Sequence, residues 1–215
     1  MIAVILGKTN MTEWSNFMAN RMPAGYSSRG GYVLNPYGPG KYFVNGSSSG
    51  SAAAVAANLC AAAIGTETTG SIVGLASQHF LVGIKPTVGL ASRSGIIPIS
   101  ISQDTPGPIA RTVTDAAILL GAITGIDEND RATLASQNYI PADYTAYLEA
   151  GFLRQARIGI PRHYYRVLDE ERKSIMESAI DVLGKQGATV IDPVELYWSN
   201  ILETMTLSPM NSRQG

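Results

Sequence analysis

Stretches of helical and strand-like periodicity succeed one another along this chain, and each predicts an element. Residues 51–63 are mostly Ala, with Val55, Leu59 and Cys60 as the only larger apolar side chains. Ala is the strongest helix former, so the run predicts a buried helix whose small side chains permit close packing. Ile64-Gly65-Thr66 follows as a short strand leading into a turn. The N-terminal apolar run ending at Leu6 reads as an opening strand, residues 12–20 as a helix, and residues 84–101 as alternating strands and turns. Residues 114–124 carry a helical pattern with Thr114 as N-cap. From residue 150 the pattern becomes β-α-β. A strand at Arg157-Ile158-Gly159-Ile160 precedes an amphipathic helix over residues 170–184, with Ile175, Ala179, Val182 and Leu183 on its apolar face, and Thr189-Val190-Ile191 forms a second strand. Residues 1–196 read as one incomplete domain, and residues 197–215 as a divergent, flexible tail that reads as premature termination or a frameshift.

The chemistry is concentrated at the two ends of the alanine-rich helix. Gly46-Ser47-Ser48-Ser49-Gly50-Ser51 precedes it, and Thr66-Glu67-Thr68-Thr69-Gly70-Ser71 lies beyond it. Residues 47–50 predict the turn before the helix, where hydroxyls satisfy free N–H groups and the positive dipole end favours developing negative charge. Gly70 opens backbone conformations closed to other residues, so the N–H groups of Thr68, Thr69, Gly70 and Ser71 can converge on one point. Such convergence is what an oxyanion needs. A serine hydroxyl is a poor nucleophile until a base removes its proton. The chain has only two histidines, His79 and His163, and neither stands in a nucleophile-elbow arrangement. Both read as structural, which disfavours a Ser/His/Asp hydrolase and favours a serine activated by a lysine through a second serine.

Composition narrows the remaining classes. The chain has 215 residues, 45% apolar and 15% charged, with a net charge of −1. That suffices for one substantial core. No Lys/Arg cluster points to nucleic acid or an anionic membrane. The longest apolar stretch, residues 52–64, is interrupted by Asn58 and falls short of the roughly 20 residues of a spanning helix. The N-terminal run lacks a basic flank and is too short for a signal peptide. The lone Cys60 excludes an internal disulfide and reads as a small buried hydrophobe. A cytoplasmic protein without cofactor or metal is the expectation.

Four segments together carry a resemblance. They are Gly46-Ser47-Ser48-Ser49-Gly50-Ser51-Ala52-Ala53-Ala54, Gly65-Thr66-Glu67-Thr68-Thr69-Gly70-Ser71-Ile72, Val82-Gly83-Ile84-Lys85-Pro86-Thr87-Val88-Gly89-Leu90, and Asp104-Thr105-Pro106-Gly107-Pro108-Ile109-Ala110-Arg111-Thr112-Val113. With Gly7-Lys8-Thr9-Asn10-Met11 in order before them, they resemble the amidase signature family. The likeness runs from about residue 5 to about 127 and continues more weakly to about 194. It implies an α/β/α layered domain with a mixed central sheet and a Ser–cis-Ser–Lys hydrolase of carboxylic amides. By position, Ser71 is then the acyl-accepting nucleophile, Ser47 the bridging serine held in a cis peptide, and Thr68, Thr69, Gly70 and Ser71 the oxyanion hole.

The chain also departs from the family pattern. The catalytic lysine of the family lies in an upstream Lys-Asp-x-Ile motif that this chain lacks, so the chain is expected to be a truncated member. Lys8 and Lys85 match non-catalytic lysines. Asn45 stands where a second glycine is usual, Thr69 where Gly, Ser or Asp is common, and Gly74-Leu75 where Ser-Pro is usual. Three functions remain open: an amidase forming acyl-Ser71, an inactive remnant or interaction subunit, and an amidotransferase subunit that releases ammonia from glutamine. The loop at residues 23–44, rich in Gly, Pro, Tyr and Ser, leads into the serines and reads either as pocket lining or as plain surface. Asp104 and Arg111 read either as substrate-orienting charges or as internal hydrogen-bonding groups, the second being favoured.

Overall fold

A computed structural model describes residues 3–196. The chain divides into two compact units, residues 1–148 and 149–215. The tail assigned to residues 197–215 lies outside the described residues.

In the first unit a small hairpin, β1 (Tyr26–Ser27) with β2 (Gly31–Tyr32), precedes helix α1 (Ser49–Ala56). Strand β3 (Ala62–Glu67), helix α2 (Val73–Gln78) and strand β4 (Val82–Gly83) follow. Strand β5 (Thr105–Ala110) and helix α3 (Val113–Ile123) complete the framework. The sheet has the order β3-β5-β4 and is antiparallel throughout, with Glu67 opposite Thr105 and Ala62 opposite Ala110. Helix α1 packs on β3 and β5, α3 on β5, and α2 beside β4. Ala52, Ile72, Leu75 and Ile109 form the buried core, with Leu81 against them. The architecture is an incomplete α/β fold.

The alanine run does not stay helical to its end. Asn58 takes a left-handed φ of 61°, which an α-helix cannot contain, and Ala62 and Ala63 join β3 instead. The propensity of Ala yields here to ladder bonding with β5. Strand β5 had no signal in its sequence, because two prolines argue against a central strand. The structure resolves the conflict through direction. The Pro108 carbonyl accepts from the Ile84 N–H, so Pro106 and Pro108 turn toward β4, while residues 105, 107 and 109 serve the long ladder with β3. Between them, a Cβ on Gly107 would lie 2.1 Å from the Ile84 carbonyl oxygen, so only glycine fits.

Three other expectations are corrected. Residues 12–20 form no α-helix: Trp14, Ser15 and Asn16 all have positive φ, and only a short 3-10 turn spans Glu13–Asn16. Tertiary bonds hold that segment, since the Thr12 N–H donates to the Ser47 carbonyl and the Thr12 hydroxyl accepts from the Gly25 N–H. Residues 84–101 contribute one isolated bridge, Ala91 with Thr124, and no strand. Helix α3 is capped by Thr112, whose hydroxyl accepts from the Asp115 N–H 3.0 Å away; Thr114 lies inside the helix.

The second unit realises the β-α-β expectation. Strands β6 (Arg157–Gly159) and β7 (Thr189–Ile191) pair in parallel, joined through helix α4 (Glu170–Lys185). Asp169 caps α4 by accepting from the Arg172 N–H, and Arg162 pairs with both Glu177 and Asp192. The apolar face of α4 stays open, with Ile175 61% and Val182 54% exposed.

Among the described residues no helix is long and apolar enough to cross a membrane. The described part of the opening apolar run, residues 3–6, forms no strand, and Val4, Ile5 and Leu6 are 81%, 88% and 74% exposed. At about 25 cal/mol per Å², a few hundred Å² of such surface forgoes several kcal/mol of a margin of roughly 5–15. The isolated chain is therefore expected to bind a hydrophobic dye and to melt broadly. A monomer with one sharp thermal transition and no dye binding would contradict this.

Candidate active site

A small cleft opens in the first unit at the end of the β3–β5 ladder. Ser47, Thr66, Glu67, Thr68 and Ser71 form one part of its lining, Asp104 and Thr105 another, and Arg93, Ile96, Ile97 and Ile99 a third, with Ser15 at its edge. Ser47 and Ser71, singled out by sequence, thus share one cleft. No residue of the 23–44 loop lines this cleft.

Hydrogen bonding sorts the serines. The Ser48 hydroxyl donates to the Thr66 carbonyl and accepts from the Thr66 N–H at 3.0 Å. Ser49 donates to the Asn45 carbonyl and shares a bond with Thr12, and Ser51 donates to the Ile64 carbonyl and shares one with Thr9. These three bind helix α1 to its neighbours. The hydroxyls of Ser47 and Ser71 have no such partner among the described residues, and the Gly46–Ser47 peptide bond is cis. Asn10 completes the frame: its carbonyl accepts from the Gly50 N–H and its side chain from the Ser27 hydroxyl.

The turn after β3 owes its shape to two features. Gly70 has φ +81°, as its type permits. Glu67, buried and the single Asp, Glu, Lys or Arg between Lys41 and Lys85, turns its carboxyl group back into the turn. It accepts from the N–H groups of Gly70 at 2.6 Å, Ile72 at 2.6 Å and Val73 at 2.9 Å. The N–H of Gly70 is thereby committed, and those of Thr68, Thr69 and Ser71 remain without a partner among the described residues. Of the four N–H groups expected to converge, that of Gly70 is the one bonded within the turn. Sequence reasoning missed Glu67, although an isolated acid before a glycine turn was its signal.

Two departures from the family pattern turn out to be neighbours. Asn45 takes φ 61°, a left-handed conformation that Asn tolerates better than most residues, and its side-chain oxygen accepts from the Gly46 N–H. Its amide nitrogen lies 3.0 Å from where a Gly74 Cβ would stand. The Asn45 side chain occupies the space that a larger residue at 74 would need.

Both remaining candidates are bonded internally. Arg111 donates to the carbonyls of Val55, in the last turn of α1, and of Cys60 beyond it, where a cation suits the helix dipole. Asp104 accepts from the Thr68 hydroxyl and from the N–H groups of Ile99 and Ser100, both at 2.8 Å. Burial alone would raise its pKa, but these bonds outweigh it and hold the carboxyl below the ordinary Asp range. Arg93 is bound through Nε and Nη2 to Asp130, whose pKa the guanidinium lowers strongly. Lys8 is exposed and Lys85 donates to the Gln103 carbonyl, so no lysine lines the cleft among the described residues.

His79 takes no part in the cleft. It is fully buried, with Nδ1 3.0 Å from the Leu75 carbonyl oxygen and Nε2 unpartnered among the described residues. Burial lowers its pKa from the ordinary 6.5, against a smaller upward effect of the Leu75 carbonyl. Below pH 6.5 the unfolded chain binds a proton that the folded chain resists, so this residue costs stability as the pH falls and costs nothing above. Urea melts between pH 7.5 and 5.5 are expected to show the parent losing stability relative to His79→Gln; parallel curves would refute it.

An α/β framework thus holds a glycine turn and two serines without hydroxyl partners, among the described residues, in one cleft. The chain belongs to the amidase family, whose model matches residues 3–210. It is 46% identical over 195 residues to a probable amidase of Arabidopsis thaliana, covering 88% of this chain and 36% of that protein. The crystal structure of the peptide amidase of Stenotrophomonas maltophilia superposes with a TM-score of 0.84 at 50% identity, covering 94% of this chain and 41% of that one. One component of the glutamyl-tRNA(Gln) amidotransferase of Thermotoga maritima superposes with a TM-score of 0.68 at 33% identity, covering 87% and 39%. The chain thus spans well under half the length of these relatives.

Proposed function

We propose that this chain carries the nucleophile side of an amide hydrolase, with Ser71 as nucleophile and Ser47 as proton relay. One observation carries the reading. Of the clustered serines, only Ser47 and Ser71 combine a place in the cleft with a hydroxyl free of other partners. The Ser71 oxygen attacks the amide carbonyl carbon while its proton passes through Ser47 to a lysine base. The carbonyl oxygen becomes an oxyanion and accepts from the free N–H groups at Thr68, Thr69 and Ser71. Collapse expels the amine, which takes the proton back through Ser47, and water then releases the acid from acyl-Ser71.

The apolar wall of Ile96, Ile97 and Ile99 suits an uncharged acyl group. Peptide amidase chemistry is supported over glutamine hydrolysis for an amidotransferase by the higher structural likeness, a TM-score of 0.84 against 0.68. The test is reaction with a fluorophosphonate at alkaline pH, where hydroxide replaces the lysine, followed by peptide mass spectrometry. An adduct on Ser71 is expected, and an adduct confined to another serine would reject the reading.

A further inference from the structure

Glu67 and Asp104 stand at the same end of the β3–β5 ladder, one residue from each other across the Glu67–Thr105 pair, and both are buried. Each grips the catalytic turn. Glu67 takes the N–H groups of Gly70, Ile72 and Val73, while Asp104 takes the Thr68 hydroxyl. The free N–H groups of Thr69 and Ser71 lie between these anchored positions. The other oxygen of Asp104 accepts from Ile99 and Ser100, in the segment that brings Ile96, Ile97 and Ile99 to the cleft. A buried carboxylate is costly unless fully hydrogen-bonded, and Asp104 meets that cost with donors from two separate parts of the lining.

We propose that Asp104 is a positioning residue for the oxyanion turn, acting through the Thr68 hydroxyl and tying the turn to the isoleucine-bearing segment. This rests on the reading of Ser71 as nucleophile. The hydroxyl matters because Thr68 offers its backbone N–H to the oxyanion while its side chain holds that N–H in place. A displacement of about 1 Å at such a donor costs on the order of a hundredfold in rate, so losing one of the two grips is expected to cost at least about tenfold.

The experiment measures the rate constant of fluorophosphonate modification of Ser71 at alkaline pH, beside the thermal midpoint of each variant. Thr68→Val keeps the shape and the backbone N–H but removes the hydroxyl, and it is expected to slow modification at least about tenfold with a midpoint close to the parent's. Thr68→Ser is expected to return the rate close to the parental value. Asp104→Asn is expected to slow modification to a similar extent, with no further loss in the Thr68→Val/Asp104→Asn double variant, because both changes break one link. A parental rate in Thr68→Val, a loss that Thr68→Ser does not restore, or additive losses in the double variant would each overturn the assignment. Should Thr68→Val fail to fold, Asp104→Asn carries the test on the same readout. Failure of both to fold would make the bond scaffold and overturn it as well. If the parent forms no Ser71 adduct, the nucleophile reading falls and this inference with it, whereas an adduct with unchanged variant rates rejects this inference alone.

Discussion

Ser71→Ala is expected to abolish both amide turnover and fluorophosphonate modification in any active form of this protein. Among the described residues, the side chain of residue 71 is the only group in the cleft that combines a free hydroxyl with unpartnered N–H donors at its own turn. The fully buried Ile72 and the Glu67 carboxyl, which accepts from the N–H groups on either side of Ser71, hold its backbone in place. Removing the nucleophile leaves only the oxyanion site and substrate binding, and in other serine hydrolases losses of this kind are on the order of 10⁴ to 10⁶. Ser47→Ala is expected to cost less, because it removes a relay and leaves the attacking atom. The check is the ratio of modification rates in the two variants, with intact folding shown by circular dichroism. Equal losses would mean that Ser47 does more than carry a proton.

The 215-residue chain by itself is expected to hydrolyse amides at no measurable rate near neutral pH. Lysine is the base that this chemistry calls for, and among the described residues none lines the cleft. Arg93 is the cation that does, but its guanidinium is bound to Asp130, which raises its pKa further and leaves it no capacity to accept a proton. Without a base Ser71 stays neutral, and the oxyanion donors alone supply a minor part of the acceleration. Ammonia release from simple carboxamides measures this directly. Clear activity that disappears in Lys8→Ala would reverse the expectation and make Lys8 the base.

Much of the site was legible in the chain because its chemistry is local. The two hydroxyl-rich glycine turns were readable from residue type alone, whereas the choice of Ser47 and Ser71 within them came from the resemblance to the amidase signature family. Gly70 at φ +81° is the direct outcome of its residue type. The β-α-β pattern of the second unit was equally readable, since strand and helix periods express themselves within a few residues.

Where an outcome depended on distant partners, the local pattern misled. Residues 12–20 have helical composition, yet Thr12 is bonded to Ser47 and Gly25 and the following residues turn left-handed. Strand β5 carries two prolines and was invisible as a strand, because only the sheet shows that both turn toward β4. Internal bonding was the favoured reading of Asp104, but its partners, like those of Glu67, Asn45 and Gly74, are shown only by the fold.

The sequence by itself determined where the hydroxyl-rich glycine turns and the alanine run lie, because these are properties of residue type and spacing. The tertiary structure decided which of the clustered serines stay free, which N–H groups of the glycine turn are left without a partner among the described residues, and which acids bond that turn. Those outcomes are set by hydrogen-bond partners far apart in the chain, 36 residues in the case of Thr68 and Asp104, and no local pattern encodes a partner at that distance.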